Sequence, residues 1–261
     1  MNDSVMRTSL SDTHSLRGRV AWVTGASGSI GAEISRALAA RGASVALHGR
    51  TESSLERVVA DIRAAGGVAV AHVGDVRDGG HLQSVVSEVA GELGAVDILV
   101  VCAGGAGQPT PTATLTPDRW REVIETDLTS VFLTVQAALP GLIEGQRGRI
   151  ITVASSAGRR PSRANAAYAA AKAGVVMFTE HLAKEYADAG IRVNCVAPSI
   201  VDTATLRSRM SAAQREAVAA QVPLGRIGTP ADIAEAVVFL ASDASSWTTG
   251  TTLDITGGMT L

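Results

Sequence analysis

The feature that most constrains this chain is a glycine-spaced turn at the end of its first apolar run. Arg19 to Thr24 (RVAWVT) reads as a buried strand, and TGASGSIG follows, with Gly25, Gly28 and Gly31 at intervals of three. The apolar positions Ile30, Ile34, Ala37 and Leu38 then keep a helical period up to Arg41. A strand that turns on glycines straight into a helix lets backbone approach an anion closely. The helix start adds free N–H groups and the positive end of its dipole. A lone glycine triplet means only a tight turn. Placed after the first strand of an alternating strand/helix chain, it reads as a seat for a pyrophosphate.

The alternation continues to the C-terminus. Strands are expected near Arg19–Thr24, Ser44–His48, Val68–Val73, Ile98–Ala103, Arg149–Ser155, Arg192–Ala197 and Thr252–Ile255. They are short, apolar and unalternating, as in a parallel sheet covered on both faces. The pattern predicts an α/β fold, a doubly wound parallel sheet of about seven strands flanked by helices. With 261 residues the chain suffices for one large domain, and is too short for a dinucleotide domain plus a separate substrate domain. Residues 1–15 are polar and read as a disordered arm, with the domain spanning 16–261. Ser53 with Glu56, and Ser211 with Gln214, have the spacing of capping boxes. Thr116-Pro117 and Thr229-Pro230 each put a cap residue before proline at a helix start. Pro140 is expected to bend or end a long helix beginning near Asp118.

A second informative stretch runs from Ser155 to Lys172. Tyr168 lies thirteen residues after Ser155, and Lys172 four after Tyr168. Four residues is just over one helical turn, so phenol and ammonium share a helix face. An ammonium there favours the phenolate, and a phenol so placed can give or take a proton at a carbonyl or alcohol oxygen. Ser155, at the end of the preceding strand, is placed to hydrogen-bond that same oxygen. Alone, such a Tyr/Lys spacing is common on ordinary surface helices; the glycine turn gives it meaning.

Together these motifs resemble the short-chain dehydrogenase/reductase family, from about Leu16 to the C-terminus. Thr24, Gly25 and Gly31 match its glycine motif; Ser155, Tyr168 and Lys172 match its catalytic residues; Asp75, in GDV, matches its adenine-side acid. VNCVAPSIVDT, PLGRIGTPADIAEAVVFLASD and the closing TGGM match its C-terminal third. The resemblance implies a single-domain Rossmann fold and hydride transfer between a nicotinamide and a ketone or secondary alcohol. Tyr168 is then the acid/base, Ser155 polarises the substrate oxygen, and Lys172 also binds the nicotinamide ribose. Cofactor contacts fall on Gly25, Ser27, Gly28, Ser29, Ile30 and Gly31 at the turn, and on Asp75 and Val76 at the adenine side. Others fall on Ala103 and Gly104 in mid-site, and on Pro198, Val201 and Thr203 at the carboxamide. The stretch Ser199–Gln221 corresponds to a lid over substrate, its alternative being a plain surface hairpin. The family pairs through the Tyr168 helix, its neighbour from Asp118 and the last strand, which implies a homotetramer.

Four positions depart from the family pattern. Ser29 replaces the middle glycine, Cys102 an asparagine that braces the central strand, and Ser199 a glycine after Pro198. Asp127 stands where the family has a catalytic asparagine. The aspartate keeps the main-chain carbonyl that holds a relay water, and brings a carboxylate that would raise the lysine's pKa. Asp127 is therefore counted with the catalytic residues, in a tuned or weakened relay.

An acid ending the second strand selects NAD, whereas an arginine accommodates the NADP phosphate. Here Gly49 takes the acid's place and Arg50 follows, which favours NADP(H). Glu52, and the lack of a basic residue at Gly28, leave NAD(H) as the alternative. The net charge of −2 gives no footprint for nucleic acid or anionic membrane. Apolar runs such as ILVVCA fall far short of the roughly 20 residues that span a bilayer. Two cysteines and five scattered histidines show no metal spacing, so no metal is expected; a reducing cytoplasmic setting fits.

The substrate is a small carbonyl/alcohol compound: a 3-oxoacyl thioester, a sugar acid, a steroid or a simple secondary alcohol. Two positions that are often basic in carrier-protein reductases are Gln146 and Ala189 here, with Arg147 beside the first. A non-catalytic dinucleotide sensor or scaffold of the same fold is the alternative function, set against by the retained tyrosine and lysine. An extended-fold epimerase or dehydratase is set against by chain length and glycine spacing. Arg159, Arg160 and Arg163 lie between Ser155 and Tyr168, so they are expected to border the pocket, as a substrate anion clamp or else as a solvated loop or a subunit-interface patch.

Overall fold

Every residue of β1 (Val20–Thr24) and of β4 (Ile98–Val101) is buried. Strands apolar on both faces need cover on both, and the chain supplies it. The structure is a computed structural model and describes residues 13–105 and 107–260. β1 and β4 join β2 (Ser44–Gly49), β3 (Val68–Val73), β5 (Arg149–Val153), β6 (Arg192–Pro198) and β7 (Thr252–Ile255) in one sheet. All pairings are parallel, in the order β3-β2-β1-β4-β5-β6-β7.

Alternate residues of β1 serve two cores. Ala21 and Val23 pack with α1 (Ser29–Ala40), α2 (Glu52–Ala64) and α9 (Pro230–Ala241), through Ile34, Leu38, Leu55 and Val237. Val20 and Trp22 pack with α3 (Gly79–Glu92), α5 (Ser130–Gly145) and α6 (Ala166–Tyr186), through Leu82, Val135, Leu142 and Val175. Each leucine so buried stabilises by on the order of 1.5–3 kcal/mol. Chain order reverses direction between β1 and β4, which opens a crevice at the strands' C-terminal ends.

The expected caps divide. Thr116 accepts the Arg119 N–H at the start of α4 (Pro117–Ile124), and Thr229 closes a reciprocal cap with Asp232 on α9. After the short helix α7 (Ala204–Arg209), Ser211 and Gln214 close another on α8 (Ala212–Ala219). Ser53 and Glu56 do not: α2 starts at Glu52 with Thr51 as its cap residue, so Ser53 already lies inside the first turn. Pro140 does not end its helix either. It sits on the exposed face while Ala138 and Leu142 stay buried beside it, and α5 continues to Gly145. The irregularity falls earlier, where Glu125–Thr129 forms a π-turn between α4 and α5.

By length and mean hydropathy, the 29 residues Pro117–Gly145 could cross a membrane, which no short apolar run in the sequence suggested. In the fold this stretch packs against α3 and α6 and carries the buried Asp127. Of the expected arm, residues 1–12 lie outside the described residues, and the Thr13 carbonyl accepts the Ala244 N–H.

Candidate active site

A cavity of about 550 Å³ opens at the crevice. One wall is the glycine turn. Gly25 has φ +68, and a Cβ there would lie 2.8 Å from the Ala103 backbone, so the turn passes against the end of β4 with no room for a side chain. Gly28 caps α1 without any side-chain hydrogen bond, so the helix presents its first N–H groups uncapped. Ser27, Ser29, Ile30 and Gly31 complete this wall. At one end Arg50, Asp75 and Val76 line the cavity. Ala103 and Gly104 line its middle, and Pro198, Val201 and Thr203 the side under the start of α7.

Ser155, Tyr168 and Lys172 line the same cavity. Ser155 follows β5, and its Oγ accepts the Ala157 N–H at 3.2 Å. Tyr168 is in the first turn of α6, where the Asn165 side chain accepts its N–H at 2.9 Å and donates to the Gln108 carbonyl at 3.0 Å. Lys172, one turn on, is buried. Its Nζ donates to the Val153 carbonyl at 3.2 Å, lies 3.3 Å from Asp127 Oδ1 and 5.6 Å from the Tyr168 ring centre. Burial disfavours its charge, but Tyr168, Asp127 and Cys102 outweigh burial and raise its pKa above the ordinary lysine value. Asp127 does not line the cavity; it sits wholly buried behind Lys172.

Residues 25–260 match a family model described as enoyl-(acyl carrier protein) reductase. A 3-oxoacyl-[acyl-carrier-protein] reductase of Salmonella typhimurium is 41% identical over 245 residues, covering 94% of this chain and 98% of its own. A short-chain type dehydrogenase/reductase from Mycobacterium marinum has a TM-score of 0.90 at 34% identity, covering 97% of this chain and 99% of its own. A gluconate 5-dehydrogenase from Burkholderia cenocepacia, solved with NADP and tartrate, has a TM-score of 0.89 at 32% identity, covering 96% and 98%. The chain belongs to the short-chain dehydrogenase/reductase family.

Within this short-chain dehydrogenase/reductase, Asp75, expected on the adenine side, is engaged. Arg77 forks onto Asp75, with Nη2 at 2.6 Å and Nε at 3.0 Å, which holds that carboxyl down at about 2. Arg77 also lines the cavity, and sequence reasoning missed it although it follows Asp75 by only two residues. A Cβ at Gly49 would lie 2.8 Å from Ser27 Oγ, so an acid there requires that hydroxyl to turn aside. Beneath this end, His48 is buried against Trp22 and His81, and its carbonyl accepts the Ala26 N–H of the glycine turn. Burial first, then His81 and His72, pushes its imidazole down to about 4.

The three-arginine loop does not border the cavity. Arg159 is turned to β7, where it pairs with Asp254 at 3.2 Å, and neither Arg160 nor Arg163 lines the cavity. Arg209, at the end of α7, lines the cavity instead, beside Thr205 and Leu206. Nothing in its sequence surroundings marked it. The Ser29 departure has a local consequence: its Oγ accepts the Ala204 N–H at 3.2 Å, tying the glycine turn to the start of α7.

Proposed function

We propose that the protein is an NADP(H)-dependent oxidoreductase that reduces a ketone to a secondary alcohol, reversibly. The carrying observation is that Ser155, Tyr168 and Lys172 share one cavity with an uncapped helix start and a glycine turn. The residues suit a dinucleotide: unblocked N–H groups for its pyrophosphate, and at its adenosine end the exposed Arg50 after Gly49, where an acid would select NAD. When bound, the nicotinamide supplies or takes up the hydride.

The chain's own residues manage the proton. Tyr168 gives its phenolic proton to the substrate oxygen as the carbonyl carbon becomes an alcohol carbon, and takes it back in the reverse direction. Ser155 Oγ already accepts from Ala157, so its own hydrogen is free for the same oxygen. Lys172 holds a positive charge beside the phenol, which eases the phenolate that each reduction leaves. Asp127 and its main-chain carbonyl belong to the path by which the proton is replaced.

A small ketone fits better than a thioester on a carrier protein. Gln146 and Ala189 offer no cation, and Arg147 is already engaged by Asp97 at 2.7 Å. A homotetramer is part of the reading, supported by the exposed large apolar side chains Trp120 on α4, Phe132 and Ile143 on α5 and Met177 on α6. Two free cysteines agree with a cytoplasmic setting.

The deciding experiment is a panel of ketones and alcohols, including gluconate-like acids and a 3-oxoacyl thioester, assayed with both nucleotides by nicotinamide absorbance. Turnover with at least one ketone, faster with NADPH than NADH, is expected. Tight nucleotide binding with no turnover on any member would favour the sensor alternative.

A further inference from the structure

At the back of the cavity lies an ion pair whose ammonium lines it and whose carboxylate does not. Asp127, in the π-turn, has no exposed surface, and besides facing Lys172 Nζ at 3.3 Å its Oδ1 accepts the Gly105 N–H at 2.7 Å. Gly104 makes the room: at φ +133 it lacks a Cβ that would land on Asp127 Oδ1 and lie 3.2 Å from Lys172 Nζ. Loop, π-turn and helix thus close around one carboxylate and one ammonium.

The groups facing Lys172 come from four elements. Tyr168 lies on its own helix, Val153 on β5, Cys102 just beyond β4 and Asp127 in the π-turn. Val153 offers only a carbonyl dipole, and burial pushes the Cys102 thiol up to about 11. Tyr168 carries negative charge only while its proton is away. A buried ammonium without a standing partner sheds its proton readily. We propose that Asp127 is a positioning residue whose carboxylate is the standing counter-ion of Lys172, keeping it charged and in place through both protonation states of Tyr168. The purpose rests on the oxidoreductase reading; the pairing is a property of the protein alone.

The sequence makes a direct test available, because it contains only two lysines, Lys172 and Lys184. With lysine isotope-labelled at the ε-carbon, the protein gives two NMR signals, assigned with Lys184→Arg. Titration without nucleotide or substrate then reads each ammonium separately. In Asp127→Asn the Lys172 midpoint should fall by about one pH unit or more, while Lys184 stays put. Asp127→Ser, also neutral but smaller, should give the same fall, and a cooperative thermal melt followed by circular dichroism reports whether each variant is folded. In turnover, the alkaline limb of the pH profile should move down with Lys172. An unmoved Lys172 midpoint in both folded variants would overturn the proposal and leave Asp127 as loop architecture. The titration decides the pairing whether or not a substrate is found.

Discussion

The two ends of the cavity handle charge in opposite ways. At the catalytic end, Lys172 and Asp127 are paired out of water, with side chains 4% and 0% exposed. At the adenosine end, Arg77 and Asp75 are paired at a surface, with side chains 43% and 33% exposed, and Arg50 stands open. Breaking a buried pair leaves an uncompensated charge, whereas an exposed pair contributes little and is screened by salt. The end that does the chemistry is therefore locked into the fold. The end that recognises the nucleotide can change with little consequence for folding.

That contrast can be tested from its strong side downward. Tyr168→Phe keeps the ring and deletes the proton donor, so turnover should fall roughly 10²–10⁴-fold while nucleotide affinity holds. Activity within a few-fold of the parent would remove Tyr168 from the mechanism. Lys172→Met should lose activity and also stability, by about 3–5 kcal/mol in denaturant melts, because the buried Asp127 carboxylate loses its ammonium partner. A variant as stable as its parent would mean the pair is not buried in solution.

His48 lies at the adenosine end but is itself buried, so it cuts across the comparison. Its folded value of about 4 lies below the ordinary 6.5. The unfolded chain therefore takes up a proton that the folded chain refuses. The contribution is whole above pH 6.5 and is lost as pH falls from 6.5 to 4, up to about 3 kcal/mol in all. Thermal melts across that range should show the loss, and His48→Phe should flatten it; an unchanged slope in the variant would assign the acid sensitivity elsewhere. The smallest effect belongs to the exposed end. Arg50→Ala should weaken NADPH binding about tenfold or more and NADH far less, with stability within about 1 kcal/mol of the parent. Equal losses for both nucleotides would mean that Arg50 does not read the phosphate.

What the sequence disclosed followed physical locality. β1, β4 and the Thr229 cap were legible because burial on both faces and a cap-proline start are written in adjacent residues. The Ser53/Glu56 box misled because Thr51, two residues earlier, caps α2, and spacing alone does not say which hydroxyl residue turns the chain. Pro140 does not stop α5 because packing of Ala138 and Leu142 outweighs one missing backbone hydrogen bond. The arginine loop misled for want of its partner: Asp254 is far along the chain from Arg159 and meets it only in the folded sheet. His48, His72 and His81 read as scattered for the same reason, though β2 and β3 set the first two side by side and α3 brings the third.

The crowding of Ser27 against Gly49 has an evolutionary side. Giving this lineage the acid that selects NAD is one codon's work at Gly49, yet the new Cβ would start 2.8 Å from one Ser27 atom and 3.3 Å from another. Nucleotide preference here is thus not an independent trait of one site. It is a pairwise trait: the Ser27 hydroxyl has to turn aside to admit the acid, so the residue at 27 sets how readily position 49 accepts one.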